Sequence, residues 1–120
     1  MNYASNPEPD FDEMVALIDK IFDLAMKKAS LDLVLDCSQA DIVARSQVDP
    51  EYFVNGKVPS MEFVKNSYMV TGRNGELVEL KTKLVEISAS LDRAKAQLNL
   101  MKDYAEVWRT KQANERQAVL

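Results

Sequence analysis

The last third of the sequence contains apolar residues that recur in alternating steps of three and four. They are Leu77, Leu80, Leu84, Ile87, Leu91, Ala94, Leu98, Met101, Ala105 and Trp108. This spacing is the a/d pattern of a helix that packs along its length against another helix. A helix over residues 76–116 would be about 60 Å long at about 1.5 Å per residue, which exceeds what a 120-residue globule requires. The pattern predicts a core seam that is shared with the rest of the chain or with other subunits.

Helix-breaking residues divide the chain into two long uninterrupted stretches. The three Gly and four Pro all lie within residues 7–9, 50–59 and 72–75. Long stretches without Gly or Pro favour helices. We therefore predict an all-α fold, an elongated antiparallel helical hairpin that is oligomeric. The expected parts are a flexible leader over residues 1–9 and a single helical domain over residues 10–120, with a long helix over about 10–47, a hairpin region with a short helix over 48–75, and a long coiled-coil-like helix over about 76–117.

Capping residues support these boundaries. Asp10 with Glu13 three residues later forms a capping-box-like pair that predicts the start of the first helix. Ser60 and Gly72 are suited to begin and end the short helix. The near alternation of apolar and polar residues over 31–36 would also fit a short strand, but no second strand is evident to pair with it. We therefore prefer a helix there, while an interruption at residues 30–36 remains open.

The second long helix also carries a second apolar stripe that lies off the first seam. Its members are Val78, Val85, Ala89, Ala96, Leu100 and Val107. A two-helix hairpin would leave this stripe exposed. We therefore expect it to contact other subunits.

Charge is divided unevenly between the two halves of the sequence. Residues 1–60 hold 11 acids and five bases, a net −6, whereas residues 61–120 hold eight acids and 10 bases, a net +2. The bases that flank the seam of the second long helix are Lys81, Lys83, Lys95, Lys102, Arg109 and Lys111. Such a seam favours an acidic neighbour, and the acidic first helix of the same chain would satisfy it.

The composition leaves little for catalysis. There is no His, one Cys and three Gly, so a His general base, a His/Cys metal site and a glycine-rich phosphate loop are absent. Carboxylates such as Asp19 with Asp23 are more simply a solvated or salt-bridged face. We predict neither enzymatic activity nor a cofactor. Cys37 shares helical phase with Leu33 and is interpreted as a small core residue rather than a reactive thiol.

Two features of the sequence bear on location and on assembly. A lone cysteine, and a chain that opens without a basic segment followed by an apolar one, favour the cytoplasm. Charged residues interrupt every hydrophobic segment, so no membrane span is expected. Trp108 occupies a seam position and is either packed in the core or an anchor for a partner.

A first resemblance concerns residues 38–60. Ser38-Gln39-Ala40-Asp41-Ile42-Val43-Ala44 together with Gly56-Lys57-Val58-Pro59-Ser60 resembles the helix-turn-helix of phage-repressor-type regulators. The segment between Val48 and Gly56 is short for a full recognition helix, and Asp49 and Glu51 would bring carboxylates towards phosphate. A DNA-binding regulator is kept as an alternative.

A second resemblance covers most of the chain. A long first helix, the aromatic-Gly-Lys turn Tyr52-Phe53-Val54-Asn55-Gly56-Lys57, a short segment and a Leu-rich final helix together resemble the UvsY-like recombination mediators of tailed phages. The resemblance implies a ring-like homo-oligomer that binds single-stranded DNA and helps to load a recombinase, in the host cytoplasm if the chain is phage-encoded. It further implies DNA contact by basic and aromatic groups near the hairpin end, here Tyr52, Phe53, Lys57, Lys65 and Arg73.

These observations lead to two principal hypotheses. The first is a non-enzymatic oligomeric accessory protein that binds single-stranded DNA, a recombinase or a single-stranded-DNA-binding protein. Aromatic stacking and backbone-tracking bases would supply the DNA contact, although a sequence pI of about 4.8 opposes it. The alternative is a helical scaffold or adaptor that binds only protein.

Overall fold

The structure, a computed structural model, describes residues 7–119 and is helical with no strand in that range. Helix α1 spans Phe11–Ser46, helix α2 spans residues 61–71 and helix α3 spans Val78–Val119. A short 3₁₀ turn, Pro50–Tyr52, lies between α1 and α2. The all-α prediction is confirmed. Residues 1–6 of the expected leader and residue 120 lie outside the described residues.

Helix α1 begins at the predicted cap and continues without a break. The main-chain N–H of Glu13 donates to Asp10 Oδ1 at 2.9 Å, which satisfies one of the free amides of the first turn. Residues 31–36 lie inside the helix, so the strand alternative for this segment was wrong. The helix ends at Ser46, which is fully buried and donates through Oγ to the carbonyl oxygen of Val43 at 2.8 Å.

Helix α2 contains a π-helical segment, Val64–Tyr68, between two single α-turns. Ser60 Oγ accepts from the N–H of Phe63 at 3.2 Å, as expected for its N-cap. The helix ends at Gly72, whose φ of +80° is the left-handed conformation that favours glycine. The short helix is therefore where its capping residues predicted, but its π segment was not anticipated.

The chain divides into two compact units. One takes the residues up to Ala25 together with those from Ser90 onward, and the other is Met26–Ala89. Each of the two long helices contributes to both units.

The core of the first unit joins α1 to α3. Leu17 packs against Ala94 and Leu98, and all three side chains are buried. Partly buried residues around them are Met14, Ile21, Leu24 and Met101. The seam of α3 in this unit is therefore covered by α1 of the same chain. Tyr104 also donates its hydroxyl to the carbonyl oxygen of Pro7 at 2.6 Å, so the described end of the leader contacts α3.

The core of the second unit joins α1, the 3₁₀ turn and the residue that precedes α3. Ile42, Tyr52 and Leu77 form a buried cluster, with Leu35 and Tyr68 packed against it. Two hydrogen bonds to one carbonyl oxygen also connect the helices of this unit. The carbonyl oxygen of Met69, the residue directly after the π segment, accepts from Gln39 Nε2 and from Lys81 Nζ, each at 2.9 Å.

One core prediction for α1 was wrong. Cys37 is exposed, and its helical neighbour Leu33 is 64% exposed. The covered side of α1 in this unit instead carries Leu35 and Ile42. Cys37 and Leu33 do share one face of α1, but the rest of the chain covers a different face.

Candidate functional site

The residues that were predicted to bind nucleic acid lie in the second unit, and Tyr52 is the most buried of them. Its side chain is only 6% exposed, because it packs in the cluster with Ile42 and Leu77. The ring of Tyr68 meets it edge-on, with centroids 5.3 Å apart and an interplanar angle of 85°. Base stacking needs an open ring face, and Tyr52 offers none in this conformation.

Arg73 lies over the same ring. Its Cζ lies 5.2 Å from the Tyr52 centroid, within cation–π range. Its Nη2 also pairs with Glu51 Oε2 at 3.2 Å. Two of the five predicted residues, Tyr52 and Arg73, are thus brought together, but in a structural contact in which the charge of Arg73 is already partnered.

The two lysines of the predicted set remain available. Lys57 is exposed at the end of a tight turn in which Val54 and Lys57 exchange main-chain hydrogen bonds at 2.9 and 3.0 Å. Asn55 and Gly56 both have positive φ, as such a turn requires. Lys65 is exposed on α2, and neither lysine forms an ion pair with any described residue. Phe53 is half-buried beside the turn.

Two aromatic residues that the sequence analysis did not assign to this site complete the cluster. Tyr68 contacts Tyr52, and Phe63 meets Tyr68 edge-on with centroids 5.3 Å apart. Phe63 is 39% exposed, so it presents more open aromatic surface than Tyr52 does. Phe63 and Tyr68 are five residues apart, which fits the π segment between them. α-Helical periodicity pairs positions three and four apart and could not have linked them.

The two apolar stripes of α3 have opposite exposure. The predicted seam residues are all buried or half-buried, namely Leu77, Leu80, Leu84, Ile87, Leu91, Ala94, Leu98, Met101, Ala105 and Trp108. The second stripe is exposed, with Val78 at 49%, Val85 at 70%, Leu100 at 71% and Val107 at 52%. The seam therefore serves the core of the chain, while the second stripe is uncovered.

A comparable apolar stripe on α1 was missed as a surface. Phe11, Val15, Ile18 and Phe22 recur at steps of four, three and four, and are 41%, 57%, 47% and 69% exposed. The periodicity was visible in the sequence. What it could not tell was which of two apolar faces on α1 the rest of the chain covers.

Trp108 is half-buried on α3. Its Nε1 is shielded from solvent, yet it has no hydrogen-bond partner in the described part of the chain. The indole is therefore neither a fully satisfied core residue nor an open surface group.

Two ion pairs lie within a single helix, Arg45 with Asp41 in α1 and Lys83 with Glu79 in α3. A further pair, Arg73 with Glu51, joins the residue after Gly72 to the 3₁₀ turn. Within the basic flank of α3, Lys95, Lys102 and Arg109 form no ion pair with the acids of α1 among the described residues. Lys81 instead donates to the carbonyl oxygen of Met69.

The described residues contain no group of three or more Asp, Glu or Cys side chains placed to hold a metal ion. Within the same range, no helix combines the length and the apolar character that a bilayer crossing needs. The described surface carries exposed apolar helix faces and exposed bases such as Lys57 and Lys65. No protein-family profile, curated protein or solved structure matches the chain.

Proposed function

We propose that the protein is a non-enzymatic helical accessory protein that acts as a homo-oligomer and binds other proteins through its helix faces. The observation that carries the proposal is the exposure of the second stripe of α3, where Leu100 is 71% and Val85 is 70% exposed. Exposed large apolar side chains that share one helix face are candidate protein-binding sites. Exposed apolar helix faces are sufficient for a helical scaffold to bind other proteins.

The proposal includes an antiparallel hairpin of α1 and α3. In support, Met14 shares a cleft with Lys102, Ala105 and Arg109, whereas Leu17, later in α1, packs against Ala94 and Leu98, earlier in α3. Residues later in α1 thus contact residues earlier in α3, as in an antiparallel pair.

Absolute mass in solution, measured by light scattering behind a sizing column, tests the oligomer. We expect a mass above that of one 13.6 kDa chain, and a reduced mass for Leu100→Asp with Val107→Asp. The matched control is Val48→Asp, since Val48 is 77% exposed but lies outside both stripes. A wild-type protein that runs as a monomer at all concentrations would rule out the oligomer.

Single-stranded DNA is the second candidate ligand, as for recombination mediators, and the exposed Lys57 and Lys65 favour it. Both lysines lack an ion-pair partner among the described residues, and Phe53 and Phe63 offer partly open rings in the same unit. Bases of this kind follow a phosphate backbone while aromatic rings stack on the nucleobases. A recombinase or a single-stranded-DNA-binding protein would then be a protein partner.

Retention of a labelled single-stranded oligonucleotide on a filter separates the two candidates. DNA binding predicts retention that falls with added salt and is lost in Lys57→Glu with Lys65→Glu. Lys20→Glu with Lys27→Glu, on the exposed side of α1, makes the same change in net charge elsewhere. Retention that is absent at low salt, or equally reduced in both variants, would exclude a DNA site at these lysines.

A further inference from the structure

The exposed stripe of α1 has a distinct border on each side. On its outer side, Asp12, Asp19 and Asp23 follow the stripe at steps of seven and four, and all three are exposed. At about 100° per residue these acids lie beyond Val15 and Phe22, on the side turned away from the core residue Leu17. The stripe is therefore acidic along its outer border.

The inner border is basic and is supplied by α3. Lys95, Lys102 and Arg109 recur every seven residues and are exposed. Lys102 and Arg109 share one cleft with Met14, whereas Glu13 shares a different cleft with Leu100 and Tyr104.

The position of Glu13 shows on which side of the helix pair these bases lie. On the helix, Glu13 lies to one side of Met14 and Leu17, and Phe11 and Ile18 lie to the other. Leu100 and Tyr104 therefore lie on the side of Glu13, and the bases lie on the side of the α1 stripe. One face of this unit thus carries acids, apolar side chains and bases in that order.

Resting on the oligomer proposed above, we infer that this face joins two copies of the chain about a two-fold axis that runs parallel to the helices. Rotation about such an axis places the acidic border of each copy against the basic border of the other, with the two apolar stripes packed between them. Neither set of three charges forms an ion pair with any described residue, so both are free to pair across the contact. The face is therefore self-complementary: its charged borders attract those of a second copy, and its apolar centre packs against the same apolar centre.

The borders also exclude the antiparallel arrangement. A two-fold axis across the helices would place acids over acids and bases over bases, and like charges opposite one another oppose association. A nucleic acid is the less favoured occupant, because Asp12, Asp19, Asp23 and Glu106 outnumber the bases on this unit's face. A second copy instead brings opposite charges to both borders.

The register of the unit specifies the partners. Met14 lies level with Met101 and Leu17 lies between Ala94 and Leu98, so Asp12 is level with Lys102 and Asp19 with Lys95. A parallel pairing keeps these levels. Asp12 of one copy therefore faces Lys102 of the other, and Asp19 faces Lys95.

Charge reversal with rescue tests the contact, by sedimentation equilibrium at low salt. We expect Asp12→Lys with Asp19→Lys to weaken self-association by roughly tenfold or more, and Lys95→Asp with Lys102→Asp to do the same. All four substitutions together restore association, because the borders are then exchanged. If the wild type self-associates but no charge reversal alters its association, this inference fails, and the exposed stripe of α3 is then the remaining candidate for the contact. If the wild type never self-associates, the proposed oligomer fails as well.

The same variants test the competing occupant. If single-stranded DNA covered this face, the lysine reversal would abolish its retention, the aspartate reversal would strengthen it, and neither would change self-association. That result would overturn the inference.

Disulfide cross-linking reads out the direction of the pairing. In a Cys37→Ser background, a parallel contact brings two copies of Phe11→Cys together, and likewise two copies of Phe22→Cys. Each variant should therefore form a covalent dimer on its own. Positions 11 and 22 are about 16 Å apart along the helix, so cross-links that form only in a mixture of the two variants would show the antiparallel arrangement and overturn the inference.

Discussion

The hydroxyl of Tyr68 donates a hydrogen bond to the carbonyl oxygen of Tyr52 at 2.7 Å, while the two rings meet edge-to-face 5.3 Å apart. A residue of the π segment thus holds the main chain at the end of the 3₁₀ turn. This contact explains why Tyr52 is part of the core, although it sits in a polar connecting segment.

Removing this hydroxyl should destabilise the fold measurably. We expect Tyr68→Phe to lower the free energy of unfolding by about 1 kcal/mol, because the ring contact stays and the carbonyl of Tyr52 loses its donor. The measurement is urea denaturation followed by circular dichroism. Tyr104→Phe is the control, since its bond to the carbonyl of Pro7 is exposed and water can replace it. Equal losses in the two variants would contradict the role given to Tyr68.

The buried valine of the π segment provides a second test. Val64 is 0% exposed and Val48 is 77% exposed, so the same truncation probes core and surface. We expect Val64→Ala to cost about 2 kcal/mol of unfolding free energy through lost burial and a small cavity. Val48→Ala should stay within about 0.5 kcal/mol of the wild type. Thermal and urea unfolding would check both, and a negligible effect at Val64 would argue against the packing described for α2.

The glycine that ends α2 allows a steric prediction. At Gly72 a Cβ atom would clash with the side chain of Glu76 and would lie 3.0 Å from the N of Leu77. Gly56 has a similar φ of +77°, with nothing within 4 Å of the same atom. Gly56→Ala should therefore lower the free energy of unfolding by only about 1 kcal/mol. Gly72→Ala should lower it further, because the clash adds to the backbone strain. Melting temperatures of the two variants give the comparison, and an equal drop would show that the turn at Gly72 relaxes freely.

The two stripes of α3 should respond differently to an introduced charge. Leu91 is 6% exposed, so Leu91→Asp should unfold the chain or lower its stability by several kcal/mol. Leu100→Asp should keep the helical circular dichroism spectrum and the melting temperature of an isolated subunit, because Leu100 is 71% exposed. A Leu91→Asp protein with unchanged melting temperature would mean that the seam does not hold the core.

The long helices could be predicted because local signals agree with the packing that they enter. The a/d spacing from Leu77 to Trp108 marks residues that are all buried or half-buried, and Asp10 caps α1 through the N–H of Glu13. Cap chemistry and periodicity are properties of neighbouring residues, so the sequence displays them directly.

The surfaces could not be predicted in the same way. Helix α1 has two apolar faces, and periodicity alone does not say that Leu17 is covered while Phe22 is open, or that Cys37 lies on the uncovered side. Tyr52 was expected to contact DNA because the aromatic-Gly-Lys turn that begins with it resembles a DNA-binding element of another family. Its burial depends on Tyr68 and Leu77, which are distant in sequence and come together only through the π segment and the turn at Gly72.

The shared acceptor at Met69 limits how copies of this protein can exchange segments. Gln39 of α1 and Lys81 of α3 hold the same carbonyl oxygen. A domain-swapped dimer, in which α3 of one copy replaces that of another, would have to break the bond from Lys81 while Gln39 keeps Met69 on its own α1. That requirement adds to the kinetic barrier for swapping, so association through intact subunits is the faster route.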